Sequence, residues 1–317
     1  MHFLQYLIYY ILPFTKMNTL LITLLFICYL LFLVGNRFPK ETRNTNTIVT
    51  AYFEIKSKYP SKHYFKWIKN FLTIRDPLVI ITSESLKEFM IKNRPKELKT
   101  KIIVRDMSHF MVRERYGDKF WEHQHQIDIE KNIHKGEYLY WIWDEKSEWL
   151  KQIALMNPFN SKNFVWMDMG AFRNKRYNNK TVITSDFTKH PMLQSRMVFL
   201  RISTAIRWLQ SKHMSKFHYK DVIKYNMYLG GGIFGGTKEA IFKWHDLFYN
   251  EMDVWKKENK FIGKDQSMMI SCCYKNPDIC AYVDPNRKFG DPFFYMQPWF
   301  HGETDNKVYI PGFSIDK

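Results

Sequence analysis

Cysteine is scarce in this chain, with only Cys28, Cys272, Cys273 and Cys280. Four are too few for a disulfide framework, and the adjacent pair cannot easily face one ion, so no zinc-ribbon spacing arises. Acidic residues are also few. With 31 Asp and Glu against 48 Lys and Arg, the net charge is +17, which favours anionic partners: nucleic acid, acidic lipid head groups or phosphorylated small molecules. A Walker motif and a dinucleotide fingerprint are both absent, as are RNP-like, zinc-finger and helix-turn-helix signatures. No nucleic-acid partner is therefore expected, although a basic, membrane-tethered nucleic-acid or anionic-lipid binder is the reading that the charge alone would support. Internal repeats and low-complexity tracts are missing too. With 317 residues, 45% hydrophobic and 25% charged, the chain is neither a disordered tail nor a multi-pass membrane protein.

Charge is absent altogether from residues 17–36, and Leu20 to Val34 is nearly all apolar. Twenty residues at helical rise span about 30 Å, the hydrocarbon thickness of a bilayer. A single N-terminal transmembrane helix over 17–36 is therefore expected. A cleaved signal peptide fits less well, because Val34-Gly35-Asn36-Arg37 has no small-residue cleavage pattern. Residues 1–16 form a further apolar segment, too short to be a clear second span, and either Met1 or Met17 could start the chain. Arg37, Lys40 and Arg43 lie on one side of the span and Lys16 on the other, so the positive-inside rule gives no orientation. Residues 37–46 read as a polar stem, and 47–317 as one large domain.

Within that domain, short apolar runs alternate with helical patterns. Thr47–Phe53, Pro77–Thr82, Thr100–Val104 and Asn163–Met167 read as strands, with helices over His63–Leu72, from Ser85 onward, and over Glu145–Met156. Strands alternating with helices imply a mainly parallel α/β sheet with ligands at the strands' carboxyl ends. Later, Gly230, Gly231, Gly232, Gly235 and Gly236 read as a loop that leads to Thr237 as an N-cap. The helix beyond carries Ile241, Trp244, Phe248, Met252 and Trp255 at helical spacing.

Several residues in this frame could carry chemistry. Asp168 follows a buried apolar strand directly, as a ligand for Mg or Mn would, or as a turn residue ahead of Gly170. Glycines at 230–236 let backbone approach a ligand, or simply turn the chain. Asp265-Gln266 could deprotonate or orient a hydroxyl, or cap a helix. Between Arg173 and Lys224, twelve basic residues face two acidic ones, Asp186 and Asp221. That stretch could cradle phosphates or form a solvated or membrane-facing surface. It also holds the sequon Asn179-Lys180-Thr181, meaningful only on a lumenal side. His123, His125 and His134 read as an exposed helix rather than a zinc site. His301 sits in an aromatic setting, packed or contacting a metal or phosphate.

Taken in order, Thr47 to Phe53, Trp67 with Phe71-Leu72, Pro77 to Ile80, Trp143 with Lys146, Asn157-Pro158-Phe159, Phe164 to Gly170 with Phe172-Arg173, the Gly231–Gly236 stretch and Asp265-Gln266 resemble the HtrL/YibB family. The resemblance covers roughly 47–275. It implies a GT-A-like glycosyltransferase fold, with a nucleotide-sugar donor and a glycan, lipid or protein acceptor. By that resemblance Asp168 is the metal-binding carboxylate for Mn or Mg, with His301 as a second contact. Ala51, Tyr52, Phe53 and Lys146 hold the nucleotide. Gly170, Arg173, Gly231, Gly232, Gly235 and Gly236 line the donor and acceptor, with Asp265 and Gln266 catalytic. One departure stands out: the usual D-x-D is here Asp168-Met169-Gly170, without the second carboxylate. A catalytically degenerate glycan-binding or scaffold protein of the same fold is the corresponding alternative.

Overall fold

The computed structural model describes residues 45–56, 58–202, 229–304, 307–311 and 313–315, together with Phe26, Ile27 and Tyr29. Contacts divide the chain into two units, Met1–Arg43 and Asn44–Lys317. In the first, the three described residues are helical and exposed. The rest of the expected span over 17–36 lies outside the described residues. Among the described residues, no helix is long and apolar enough to cross a membrane.

The second unit is an α/β structure built on one nine-stranded mixed sheet. Its strands are β1 (Asn46–Tyr52), β2 (Leu78–Thr82), β3 (Thr100–Val104), β4 (Asn163–Met167), β5 (Met197–Arg201), β6 (Leu229–Thr237), β7 (Cys280–Val283), β8 (Val308–Ile310) and β9 (Phe313–Ile315). The helices are α1 (Ser61–Phe71), α2 (Glu84–Asn93), α3 (Met111–Tyr116), α4 (Asp118–Ile127), α5 (Glu137–Met156), α6 (Lys238–Lys257), α7 (Asp265–Lys275) and α8 (Met296–Phe300). Strand order across the sheet is β3-β2-β1-β4-β6-β5-β7-β8-β9. The first four are parallel, with Ile48 opposite Leu78 on one side and Val165 on the other. β6 then runs antiparallel between β4 and β5.

Both faces of this sheet are covered, which is why its central strands are apolar at every position rather than at alternate ones. Val49, Val79, Phe164 and Trp166 point into one core with Trp149 of α5 and Trp244 of α6. Their neighbours Ile48, Ile80, Val165 and Met167 point into the other, with Phe71 of α1 and Trp299 of α8. The chain builds β1, β2 and β3 outward on one side. It then returns through α3–α5 to place β4 on the other side of β1. The carboxyl ends of β1 and β4 therefore splay at a switch point, where an open α/β sheet leaves a crevice.

Three expectations need correction. The glycine stretch is not a loop but the core of β6, whose residues are all buried or nearly so. A Cβ on Gly235 would lie 2.5 Å from the Phe164 carbonyl and 2.8 Å from the Val165 Cα, so glycine is what allows β6 to lie this close to β4. Second, α5 starts at Glu137, well before Glu145. Its first turns bury Tyr140, Trp141 and Asp144, and the polar run Asp144 to Ser147 inside a buried helix breaks the apolar periodicity. Third, the histidines are not all exposed. His134 is buried, and its Nδ1 lies 2.6 Å from Asp128 Oδ2. Cys273 and Cys280 form a single disulfide between α7 and β7. In addition β1 begins at Asn46, one residue inside the expected stem. Thr237 caps α6 as expected, accepting from the Ala240 amide at 3.2 Å.

Candidate active site

The crevice at the β1/β4 switch point holds two adjoining cavities. One, of about 200 Å³, is walled by Ala51, Tyr52 and Phe53 at the end of β1 and by Tyr59, Tyr64 and Trp67. The other, of about 520 Å³, is more polar, with Lys264, Asp265 and Gln266 on one side and Asp291 to Phe294 on another. Tyr59, Trp143, Lys146, Asp168 and Arg173 line both, so the seam between the cavities carries the charges.

At the seam's floor, α5 drives Lys146 into the core. Its Nζ is 2.9 Å from Asp265 Oδ2, 2.9 Å from the Gly231 carbonyl and 3.4 Å from Asp168 Oδ1. Burial alone would lower the lysine pKa. The Asp168 and Asp265 carboxylates outweigh that and hold it above its ordinary value. An ammonium has three N–H donors, and all three are taken by these acceptors.

The two carboxylates differ in access. Asp265 is the first residue of α7 and is buried. One oxygen meets Lys146 and the other accepts from the Gln266 amide at 2.8 Å. The Gln266 side chain turns away to the Leu229 carbonyl at 2.7 Å. Asp168 leaves β4 toward the cleft, with 38% of its side chain exposed. Its Oδ1 accepts from Trp166 Nε1 at 2.6 Å, and its own amide donates to the Gly232 carbonyl at 2.8 Å. Burial raises the Asp168 pKa and Lys146 opposes the rise. The Lys146 charge and the Trp166 hydrogen bond hold the net upward push at Asp168 below that at Asp144.

Asp144 and Glu145, beside Lys146 on α5, are also buried. Both Asp144 carboxyl oxygens lack a partner. Burial and then the nearby Asp265 push its pKa well above the usual range despite Lys146. Glu145 accepts from the Met111 and Val112 amides at 2.9 and 3.0 Å, capping α3. Burial nevertheless raises its pKa to about 7.

The structure thus brings together Ala51, Tyr52, Phe53, Lys146, Asp168, Gly170, Arg173, Gly231, Gly232, Asp265 and Gln266. Three expected residues stay outside. Gly235 and Gly236 lie further along β6, away from both cavity walls, where close strand and helix packing requires them. His301, at the end of α8, lines neither cavity, and its Nδ1 meets the Thr181 carbonyl at 2.9 Å. The basic stretch after Asp168 is not one cradle either. In its described part only Arg173 lines the cavities, whereas Arg176 pairs with Glu303 and Arg201 with Asp284. Its remainder, 203–224, lies outside the described residues. Tyr59, Phe294 and Asp144 were missed by sequence reading: the two aromatics lie outside any periodic pattern and Asp144 sits in a helix of unclear period.

A divalent ion fits this site poorly. Asp168 and Asp265, the carboxylates on the seam's floor, already share the Lys146 ammonium.

Residues 44–294 match the HtrL_YibB family, described as bacterial protein of unknown function. The chain belongs to that family. Among curated proteins nothing matches it. Two solved structures resemble this member of the family in fold, at low similarity. One is core-mannan synthase A (CmsA/Ktr4) from Aspergillus fumigatus in its Mn/GDP form: 8% identity and TM-score 0.45, over 77% of this chain and 74% of that one. The other is the galactosyltransferase LgtC in complex with donor and acceptor sugar analogs: 10% identity and TM-score 0.39, over 75% and 73%.

Proposed function

We propose that the protein is a membrane-anchored glycosyltransferase that moves a sugar from a nucleotide-sugar donor to a glycan, lipid or protein acceptor. The observation that carries this reading is the pairing of an aromatic cavity with a polar one across a charged seam, at the switch point of the sheet. A nucleobase stacks on Tyr64 and Trp67, the diphosphate crosses the seam, and the transferred sugar enters the polar cavity beside Gly231 and Gly232. The acceptor hydroxyl attacks the anomeric carbon, the bond from that carbon to the diphosphate oxygen breaks, and the nucleoside diphosphate leaves. Of the two carboxylates on Lys146, Asp168 suits proton acceptance better. One of its oxygens faces the cleft, whereas both oxygens of Asp265 are engaged. Asp265 and Gln266 then act as positioning residues, holding Lys146 and β6. The Mn or Mg expected from the family resemblance has no part in this reading, because the donor set does not suit it. The anchor rests on the uncharged residues 17–36.

The test is turnover of a panel of nucleotide sugars by the full chain, read as released nucleoside diphosphate. One donor should be consumed, and Asp168→Asn should slow it by about 10²–10⁴-fold, the usual weight of a general base. If no nucleotide sugar is bound or consumed, the transferase reading fails and a glycan-binding role takes its place.

A further inference from the structure

Arg173 is held in an unusual way. Its guanidinium carbon lies 5.4 Å from the Tyr59 ring centroid, 4.9 Å from that of Trp67 and 4.7 Å from that of Phe294. Three rings from three segments of the chain thus surround the guanidinium of one exposed arginine at the mouth of both cavities. Its polar contact among the described residues is a long Nε bond to the Gly170 carbonyl, 3.4 Å. No carboxylate of the described residues pairs with it, and its two terminal nitrogens are unpartnered. Arg113, Arg115, Arg176 and Arg201 each meet an Asp or Glu, whereas Arg94, Arg105 and Arg196 donate to backbone carbonyls. A guanidinium fork with free donors matches the paired oxygens of a phosphate group.

Lys146 cannot serve that role, because its three donors are spent on Gly231, Asp168 and Asp265. What it does is occupy, with a permanent positive charge, the space between the two carboxylates where a divalent ion would otherwise sit. A metal on the outer oxygen of Asp168 would face that ammonium across a single carboxylate, which is repulsive in a partly dry site. We infer that the site binds the diphosphate of its ligand without a divalent metal, with Arg173 as the anion's contact and Lys146 as the fixed charge beneath it. This rests on the nucleotide-sugar reading above and adds to it the cation that neutralises the leaving group. Tyr59 and Phe294 are positioning residues, acting through the arginine they hold, whereas Trp67 both holds it and contacts the base.

The test is calorimetric binding of UDP, GDP, ADP and CDP, of the matching nucleosides and of inorganic pyrophosphate to the full chain, in EDTA and again in Mn. One nucleoside diphosphate should bind with a dissociation constant unchanged within about twofold between the two conditions. It should bind at least tenfold more tightly than its nucleoside. Arg173→Met should remove that tenfold advantage and leave nucleoside binding as it was, and Arg173→Lys should restore part of it. Because Arg173 is exposed, an unchanged thermal midpoint will show that the variant is folded. Binding that appears only with Mn overturns the inference and leaves the transferase reading standing. Unchanged affinity in Arg173→Met overturns the role of the arginine. Pyrophosphate binding as tightly as the best nucleotide would assign the site to a free phosphate anion and overturn the reading together with the inference, as would no binding by any nucleotide.

Discussion

Lys146 is the residue on which the candidate site turns, because it joins a helix, a strand end and a helix start through one buried ammonium. Breaking a buried pair leaves an uncompensated charge and costs about 3–5 kcal/mol. Lys146→Met should therefore lower stability by an amount in that range, measured by urea denaturation, most of it from Asp265, the more buried partner. Asp144 gives a second prediction, in pH. An unfolded aspartate ionises near pH 3.9, whereas buried Asp144 keeps its proton to a much higher pH. Between those values the folded state binds the extra proton, so stability falls as pH rises. Glu145 acts with the same sign up to its pKa of about 7. Asp144→Asn should flatten the decline in unfolding free energy as pH rises above about 4 relative to the wild type. An equal slope in both proteins would mean that the fold does not raise the Asp144 pKa.

At the scale of elements, β6 and α5 matter most, and both were misread from sequence for physical reasons. Five glycines in nine residues are a turn signal by local propensity, yet β6 is a central strand. The close approach of β4, α6 and Asp265 selects glycine there, and that approach is a tertiary fact. A Cβ at Gly231 would meet Asp265 Oδ2 at 2.7 Å. Gly235→Ala should be the most damaging of these changes, since its Cβ meets backbone that cannot swing aside. Overpacking of this kind costs about 1–3 kcal/mol or more, to be read as a lowered thermal midpoint with nucleotide affinity retained in the folded fraction. In α5, the segment Asp144-Glu145-Lys146-Ser147 is polar in sequence but wholly buried. Each polar group there except the Asp144 carboxyl finds a partner on another element. β1, β2, β3 and β4, by contrast, were legible as continuous β-branched and apolar runs, because both faces of a covered parallel sheet demand them.

The whole molecule divides at residue 43, so a chain beginning at Asn44 should unfold cooperatively with the midpoint of the full chain. Sedimentation with lipid vesicles should retain the full chain and lose the shortened one if residues 17–36 are the anchor. A shift of several degrees in the midpoint on truncation would instead show that the first unit stabilises the second.

By itself, the sequence determined the α/β class, the strand that ends at Asp168, the capped helix after Thr237 and the family, since these depend on local periodicity and on ordered motifs. It could also nominate Lys146, Arg173 and Asp265 one at a time. Only the tertiary structure decided which of them meet. Lys146 is 119 positions from Asp265 yet bonded to it, and Tyr59 and Phe294 close on Arg173 from opposite ends of the domain. It likewise removed His301 and Gly235 from the site. Contacts between distant segments depend on sheet order and helix packing, which no local pattern encodes.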